Sequence, residues 1–521
     1  MEMDKKIPLT ARRARNLQTG MLAAAVLLFF ACTYLTGFNP WILAKNGDSF
    51  VQFIAEDFLP PALPKADRIP GIFSGILVTL ALALSATTAA AVAAFFVSLF
   101  GSEKISPFPG AARFVRGAAT FLRNIPALVW AFILFSSLGI GTGVGFIALF
   151  ITSFAFMVRA FVETMEDVSQ DCVESLLTVG AGFWQRVFQA ILPSCISGFL
   201  SWFLYCMEVN IRASTIVGMV GGGGVGLTLF SYIKGFYYDI ALSIILLIAA
   251  MIILVDRITG RLRKELASEN PNLFIPRFMA GTAVLAILSL IYLNIDWMKI
   301  FSRIPGIGMV FYELAHLDLS NMDLILSSMA ETISIAVLSL LYSVLLGILF
   351  GMLAARNIFK IPALSFIVQS FFTFLRAVPT PVWVLLMLVC LGMGPEAGVA
   401  GLCVHTTAFF TKSFAQSFEA IPEEIIEALE VTGAGRVRIF IHAVLPAALS
   451  QIVAWCGMRL EVNFSECAIL GMVGAGGIGY VISNNLQGYH YGTAGTAILL
   501  VFLVAFTIER IFIQIKKQFC A

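Results

Sequence analysis

The sequence predicts an all-α polytopic membrane protein with about twelve transmembrane helices, arranged as two parallel six-helix repeats. Of its 521 residues 59% are hydrophobic and only 12% are charged, against roughly 25% charged residues in an ordinary soluble protein. The mean hydropathy is +0.92, and the apolar residues are spread over the whole chain. Most of the chain must therefore lie in lipid. This composition excludes a soluble enzyme, a nucleic-acid-binding protein and a disordered scaffold.

Twelve apolar stretches are long enough to cross a bilayer, which takes about 20 residues because the backbone must bond to itself in hydrocarbon. In the first half they lie at 20–38, 73–99, 116–138, 143–163, 196–218 and 239–257. In the second half they lie at 277–295, 325–354, 367–391, 397–415, 448–471 and 492–511. The pieces between them are short, polar, or rich in glycine and proline.

Charges in the loops predict the orientation of these helices. If the N-terminus is cytoplasmic, 21 of the 33 Lys and Arg residues fall in cytoplasmic segments or at the cytoplasmic ends of the spans, and 6 fall in outside segments. We therefore predict that both termini are cytoplasmic. The first apolar stretch contains Phe-Ala-Cys, ending at Cys32, and faintly resembles a signal peptide with a lipoprotein cleavage site, but its counterpart at 277–295 cannot be one. We interpret both as retained helices.

The two halves repeat each other at an offset of 253 residues. The segment L-R-N-I-P at 122–126 recurs as L-R-A-V-P at 375–379, and G-M-V-G at 218–221 recurs at 471–474. Six helices per half is an even number, so both halves run in the same direction, related by an axis along the membrane normal. We predict a first half at 1–257, a cytoplasmic linker at 258–276 and a second half at 277–521, with a solute path between the halves.

A predicted cytoplasmic loop follows the fourth span of each half, at about 168–195 and 421–448. Each loop has an amphipathic segment ended by a glycine, and a Leu-Pro pair follows. We expect a short helix that presents Leu176 and Val179, or Leu429, to a partner. One copy alone would fit an ordinary interfacial helix equally well, but two copies at one offset favour coupling to a cytoplasmic ATPase. The residues assigned to coupling are Glu174, Gly180, Glu427, Ala428 and Gly433.

Together these motifs resemble those of phosphonate-type (PhnE-like) permeases of ABC importers. The set comprises L-R-x-[IV]-P-x-x-V-W, the E-A-A-type loop, E-x-N and G-M-V-G-x-G-G-[IV]-G, over about 70–257 and 325–510. The resemblance implies a type I importer fold with both permease halves fused in one chain, in the bacterial cytoplasmic membrane. It also implies two cytoplasmic ATPase subunits, which bind ATP and Mg, and an extracytoplasmic solute-binding protein. One departure breaks the symmetry, since Ser465 stands where the first half has Arg212.

Charged side chains inside the predicted spans are costly in lipid, so each is a candidate for the solute path. Arg123 and Arg376 each precede a proline by three residues, which frees a backbone carbonyl and can kink the helix. Two guanidiniums near the axis could attract and pass on an anion, although structural arginines paired with carboxylates fit equally well. The residues assigned to the solute path are Arg123, Arg376, Glu208, Arg212, Glu461, Asn210 and Asn463.

The other intramembrane charges have predicted partners as well. Arg212 lies one helical turn after Glu208, so we expect an ion pair between them. We expect a corresponding network in the second half from Arg459, Glu461 and Glu466. Arg159 and Lys412 lie near predicted cytoplasmic ends and are expected to extend their charges towards water.

The glycine-rich segments Gly221–Gly226 and Gly474–Gly479 both satisfy G-x-G-x-x-G. A dinucleotide site needs that motif between a strand and a helix, whereas here it follows an apolar span on the outside. Glycines let the chain bend and let the two halves approach each other closely, which favours an outer gate or a surface for the binding protein. The residues assigned to this gate are Gly221, Gly223, Gly226, Gly474, Gly476 and Gly479.

The sequence lacks the phosphate-binding motif G-x-x-x-x-G-K-[ST], so ATP hydrolysis must come from partner subunits. The four histidines are scattered and the nine cysteines form no C-x-x-C pair, so we expect neither a metal nor a cofactor in this chain. We predict the permease of an ATP-driven importer that carries phosphonate or a related phosphorus oxyanion. Alternatives are a permease for another small solute such as methionine and, less favoured, a secondary transporter using Glu208 and Glu461 as proton carriers.

Overall fold

All regular secondary structure is helical in the part of the chain that the computed structural model describes, which is residues 9–103, 105–168, 170–266, 274–474 and 476–520. The helices of the first half are α1 (Leu9–Thr36), α2 (Pro40–Lys45), α3 (Gly47–Phe53), α4 (Ile69–Gly101), α5 (Pro109–Asn124), α6 (Ala127–Leu138), α7 (Thr142–Val168), α8 (Gln170–Thr178), α9 (Phe183–Arg186), α10 (Leu192–Val217), α11 (Val225–Lys234) and α12 (Tyr238–Leu266). Five-residue π-helical segments at Ile54–Phe58 and Val187–Ile191 follow α3 and α9, a kinked segment at Gly218–Gly222 follows α10, and a short 3₁₀ turn at Ala66–Arg68 precedes α4.

The second half repeats this order. Its helices are α13 (Phe274–Leu293), α14 (Trp297–Ser302), α15 (Ile304–Ala315), α16 (Met322–Ala354), α17 (Arg356–Phe359), α18 (Pro362–Ala377), α19 (Thr380–Leu391), α20 (Pro395–Glu419), α21 (Glu423–Glu430), α22 (Arg436–Ile439), α23 (Leu445–Leu470), α24 (Ile478–Gln487) and α25 (Tyr491–Cys520). A π-helical segment at Phe440–Val444 follows α22, and a 3₁₀ turn at Gly471–Val473 follows α23. Helix starts keep the offset of the sequence repeat, as in Pro109 and Pro362, or Tyr238 and Tyr491. The internal repeat is therefore also a repeat of structure.

Each of the twelve predicted spans coincides with a helix or a bent pair of helices. Among the described residues, eight helices are long and apolar enough to cross a membrane, or ten if each bent pair counts as one span. The two remaining candidates are α1, whose apolar part Ala23–Thr36 is short, and α20, which is 25 residues long but less apolar. The short helices α2, α3, α11, α14, α15 and α24 were missing from the prediction.

The third and ninth predicted spans, 116–138 and 367–391, are not single straight helices. The axis turns by 87° between α5 and α6 and by 89° between α18 and α19. The break falls on Ile125 and Val378, which are extended (φ −94°, ψ 120° and φ −79°, ψ 128°). Both residues precede a proline, whose ring disfavours the α conformation for its predecessor. The prediction of a kink at these prolines is confirmed.

The tryptophan four residues after each proline replaces a hydrogen bond that the helix loses at the bend. Because proline lacks an N–H, the carbonyl four residues before it loses its helical donor. In the first half that carbonyl belongs to Leu122, and the indole N–H of Trp130 donates to it at 3.3 Å. In the second half Trp383 donates to Leu375 at 3.1 Å. The repeated L-R-x-[IV]-P-x-x-V-W motif is thus a self-contained bend.

The two halves interlock. Helix α1 packs against α16, and α13 packs against α4, so the first helix of each half lies on the other half. Helix α12 contacts α18, and α25 contacts α5. One buried apolar cluster contains side chains from both halves, including Leu134, Leu338 and Phe464. Helix α12 also continues through the first part of the predicted linker 258–276, so that segment begins as helix.

Candidate functional site

A cavity of about 400 Å³ lies between the two halves beside the glycine-rich segments. Its lining is mostly apolar and includes Leu128, Phe132, Ile140, Met219, Gly221, Phe230 and Lys234 from the first half, and Pro381, Met472 and Gln487 from the second. Lys234 is the one charged residue among the described side chains that line it, and its ammonium lies 5.1 Å from the centre of the Phe230 ring. Gln487 occupies the equivalent position in the repeat. The cavity thus combines apolar walls with a single positive charge.

The glycine-rich segments turn α10 into α11 and α23 into α24. Gly221 and Gly474 have φ of +108° and +114°, a region that a side chain disfavours. A Cβ on Gly226 would lie 1.9 Å from the Thr215 carbonyl oxygen, and one on Gly479 would lie 2.0 Å from the Ala468 oxygen. The close approach is therefore within each half, between its own helices, rather than between the halves as expected.

Four charged residues join the halves on the side of α5. The guanidinium of Arg123 lies 2.9 Å from the Glu509 carboxylate and 3.6 Å from that of Glu461. Arg159 lies 2.9 Å from the same oxygen of Glu509. We call Arg123, Arg159, Glu461 and Glu509 the closed cluster, because each cation has a carboxylate from the other half. Arg159 is thus held at the interface by Glu509, while its side chain stays 39% exposed and also pairs with the exposed Glu163.

The predicted ion pair between Glu208 and Arg212 is absent from the described contacts. Both side chains point from α10 to α12, where each finds a different partner. Arg212 lies 2.9 and 3.1 Å from the two oxygens of Asp256, while Glu208 accepts from Arg263 and Thr259. The partner residues on α12 lie opposite Glu208 and Arg212, so ion pairs between α10 and α12 replace the ion pair predicted within α10.

The cations equivalent to Arg123 and Arg159 are Arg376 and Lys412. Both line a second cavity, of about 110 Å³, together with Asp256, Gln369 and Thr373. No ion pair joins either cation to a carboxylate within the ranges that the structure describes. Arg123 and Arg376, both assigned to the solute path, therefore have different environments: Arg123 is paired with Glu509 and Arg376 faces a cavity.

Asn210 and Asn463, also assigned to the solute path, lie buried inside their own halves. The amide of Asn210 donates to Thr87 at 2.7 Å and to Ser153 at 2.6 Å, which ties together α4, α7 and α10. The Asn463 oxygen accepts from Thr406 at 3.0 Å. Such hydrogen bonds satisfy buried polar groups and align helices. We assign these asparagines to packing rather than to the solute.

The predicted network in the second half is present in part. Arg459, which is 5% exposed, lies 3.0 Å from the Glu466 carboxylate. It also contacts the ring nitrogen of His405 at 3.0 Å and the face of Phe409 at 5.5 Å. Glu461 does not join this group, because it points to Arg123 of the first half.

Helices α8 and α21 occupy the two predicted coupling loops. Val173 and Ile426 anchor them in the protein, and Glu174, Glu427 and Ala428 are exposed. Gly180 and Gly433 end the helices with φ of +78° and +76°, and the residue after each glycine donates back five residues, as in a Schellman motif. The glycine stop is confirmed.

The apolar residues that these helices expose differ from the predicted ones. Leu176 and Leu429 pack inwards against the buried clusters of their own halves. Val179 and Val431, at the helix ends, are 76% and 88% exposed, and Leu177 is 48% exposed. The exposed apolar surface thus lies at the glycine end of each helix.

The second coupling helix carries an ion pair that has no counterpart among the described side chains of the first. The Glu430 carboxylate lies 3.3 Å from the Lys360 ammonium and also pairs with Arg436. Partial burial raises the pKa of the Glu430 carboxyl, but the hydrogen bond from Lys360 and the charge of Arg436 outweigh burial and hold the pKa below its ordinary value. Leu177 occupies the equivalent position in the first half.

Asp256 and Glu509 were not singled out as site residues, although both pair with intramembrane arginines. The signal that could have found them is the repeat itself. An acid followed by arginine recurs there as Asp256-Arg257 and Glu509-Arg510 at the end of the last span, so a charge is retained in both copies where lipid would disfavour it.

Comparisons with known proteins agree with this architecture. The family described as binding-protein-dependent transport system inner membrane component matches twice, at residues 105–268 and 347–515. The phosphate-import permease protein PhnE of Mycolicibacterium smegmatis is 29% identical over 485 residues, which cover 91% of this chain and 90% of that protein. The phosphite transport system permease protein PtxC of Stutzerimonas stutzeri is 32% identical over 258 residues, covering 48% of this chain and 88% of that protein.

A solved structure of the MetNI methionine ABC transporter, in an inward-facing conformation, matches with a TM-score of 0.36 and 23% identity over 38% of this chain and 98% of that chain. The two family matches together cover more than half of the sequence, one in each half. The predicted fusion of two permease halves is confirmed. The chain is a multi-pass membrane protein of the ABC-importer permease type, and it belongs to the family of binding-protein-dependent transport system inner membrane components.

Proposed function

We propose that this chain is the membrane permease of an ATP-driven importer for a small phosphorus oxyanion, such as phosphate, phosphite or a phosphonate. The observation that carries the substrate class is the relation to the phosphate-import permease PhnE, which extends over 91% of the chain and thus includes both halves. The phosphite permease PtxC is a relative of similar identity that matches about half of the chain.

The cavity between the halves supports an anionic solute. Apolar walls with a few polar groups are typical of small-molecule sites, and Lys234 supplies the positive charge that an oxyanion needs. The glycine-rich segments border this cavity through Gly221, in agreement with their proposed role as the outer gate. Solute delivered by an extracytoplasmic binding protein would reach Lys234 first and then pass along the interface towards Arg376.

Helices α8 and α21 are the proposed docking sites for two cytoplasmic ATPase subunits, which would bind ATP and Mg. Each offers an exposed valine next to a glycine stop, with an exposed glutamate, Glu174 or Glu427, on the same helix. An apolar contact flanked by a charge is a common way for one helix to enter a partner's groove. In this orientation both chain termini are cytoplasmic.

The proposed function is tested by reconstituting the chain in liposomes with its candidate ATPase and binding protein. We expect uptake of radiolabelled phosphate or phosphonate. This uptake should require ATP on the side of the membrane where the ATPase binds and the binding protein on the opposite side. Uptake driven by a proton gradient without ATP would instead identify a secondary transporter. ATP-dependent uptake of methionine, with no uptake of a phosphorus oxyanion, would contradict the proposed substrate class.

Docking is tested with Val179→Asp, Val431→Asp and the double variant. A buried carboxylate in an apolar contact is strongly unfavourable, so we expect the ATPase to be lost from the purified complex in the double variant. Thr178→Asp and Thr432→Asp introduce the same charge at neighbouring positions and control for charge alone. Replacing Glu174 and Glu427 together by Ala should also reduce ATPase association; full retention would count against this docking surface.

A further inference from the structure

The repeat places equivalent charges at two of the contacts between the halves, and among the described residues ion pairs across the interface neutralise one of these two. On one side lies the closed cluster of Arg123, Arg159, Glu461 and Glu509. An offset of 253 residues converts these into Arg376, Lys412, Glu208 and Asp256, which we call the open cluster. In the open cluster the two cations belong to the second half and the two acids to the first.

The acids of the open cluster are held inside their own half. Asp256 is engaged by Arg212 through both oxygens, and Glu208 is engaged by Arg263 and Thr259. Two sequence differences explain this. The second half has Ser465 in place of Arg212, so nothing equivalent competes for Glu509, and Asp256 is one methylene shorter than Glu509 and reaches less far across the interface.

The cations of the open cluster consequently form no ion pair with an acid among the described residues. Arg376 and Lys412 line the cavity of about 110 Å³ together with Asp256, and the charges that surround Arg376 are the guanidiniums of Arg212 and Arg459 and the carboxylates of Asp256 and Glu208. Arg212 and Arg459 are themselves paired, with Asp256 and Glu466. The Asp256 carboxylate in this cavity is already engaged by Arg212, so Arg376 and Lys412 face the cavity without an ion-pair partner of their own, which is unfavourable unless an anion or water compensates them.

The closed cluster indicates which kind of group would neutralise Arg376 and Lys412. There the Glu509 carboxylate lies 2.9 Å from both Arg123 and Arg159 and so bridges the two cations. The corresponding bridge between Arg376 and Lys412 is missing, and in its place is a cavity with room for several water molecules. A guanidinium and an ammonium are also the side chains that most often bind phosphate oxygens.

We propose that Arg376 and Lys412 form a binding site for a single small phosphorus oxyanion, which takes the bridging position that Glu509 occupies in the closed cluster. The proposal rests on the proposed function, and it assigns both cations of the site to the second half of the protein. Gln369 and Thr373 line the same cavity and offer further polar groups. Arg123 takes no part in the site, because carboxylates already surround it.

The test uses the purified full chain in lipid nanodiscs and equilibrium binding of radiolabelled inorganic phosphate at constant ionic strength. We expect Arg376→Gln and Lys412→Gln each to weaken phosphate binding at least tenfold. Arg116→Gln removes an arginine from α5 that pairs with Glu166, outside the cavity, and should leave phosphate binding within twofold of the natural protein. Wild-type affinity in both cavity variants would overturn the proposal.

Further variants keep the test decisive if Arg376→Gln fails to fold. Lys412→Gln then decides alone, and Asp256→Glu adds the missing methylene, so that a longer carboxylate competes with phosphate and weakens its binding. Displacement of phosphate by equimolar chloride would reveal an adventitious ion only and overturn the site. If the natural protein shows ATP-driven uptake and the variants bind phosphate as tightly as it does, the site is rejected but the proposed function is kept. If the natural protein binds phosphate but shows no ATP-driven uptake, the proposed function is rejected.

Discussion

The Arg123 guanidinium and the Glu509 carboxylate, 386 residues apart in sequence, lie 2.9 Å from each other and connect the two halves. Their side chains are 23% and 11% exposed, so the pair is largely withdrawn from water. Removing one partner of such a pair leaves an uncompensated charge, which costs more than the pair itself contributes. The two halves are thus held in register at this point by charge as well as by apolar packing.

A double-mutant cycle on this pair should reveal direct coupling. We expect Arg123→Gln and Glu509→Gln each to lower the free energy of unfolding, and the double variant to lose less than the sum, with a coupling energy of about 0.5–3 kcal/mol. Unfolding in detergent followed by tryptophan fluorescence gives the four values. The cycle of Arg123→Gln with Glu166→Gln is the control, since among the described ion pairs Glu166 belongs to Arg116 and not to the closed cluster. Additive losses in the first cycle would contradict the assigned link.

The indole bonds of Trp130 and Trp383 should each contribute measurably to stability. Replacing either by Phe keeps the ring but leaves the carbonyl of Leu122 or Leu375 without its donor. The expected loss is about 1 kcal/mol per substitution, the typical net value of one hydrogen bond. Trp41→Phe changes an exposed tryptophan and should be neutral. Equal thermal stability of all three variants would show that the bend does not need this bond.

Sequence reasoning succeeded where a local pattern has a local cause. Apolar length predicted the helices, the residue before proline predicted the two bends, and the glycines predicted the ends of α8 and α21. It failed where a partner comes from elsewhere in the fold. Spacing along α10 suggested that Glu208 pairs with Arg212. The packing of α10 on α12 instead brings Arg212 to Asp256 and Glu208 to Arg263.

Gly226 and Gly479 should tolerate no side chain. In Gly226→Ala the new Cβ would lie 1.9 Å from the Thr215 carbonyl oxygen, and that oxygen belongs to a packed helix backbone that cannot move aside. We expect loss of folded protein in size-exclusion chromatography, and the same for Gly479→Ala. Gly117→Ala, in the interior of α5 with nothing within 4 Å of its Cβ position, should be neutral or stabilising by up to about 1 kcal/mol. Normal folding of both gate variants would refute the close approach.

Acid should loosen the second coupling helix before the first. The pKa of Glu430 is lowered in the folded protein from its ordinary value of 4.5, because Lys360 and Arg436 together outweigh the effect of burial. Glu430 therefore takes up a proton at a higher pH in the unfolded chain than in the folded protein. The ion pairs of Glu430 thus contribute fully to the stability of the folded protein above about pH 4.5. This contribution is lost as the pH falls through the lowered pKa of the folded protein. Hydrogen-exchange protection of α21 should decrease in this window, while that of α8, which has Leu177 at the equivalent position, should not. Glu430→Gln should remove the difference, and Glu424→Gln, a neighbouring exposed acid on the same helix, should retain it. An unchanged acid response in Glu430→Gln would assign the sensitivity to another group.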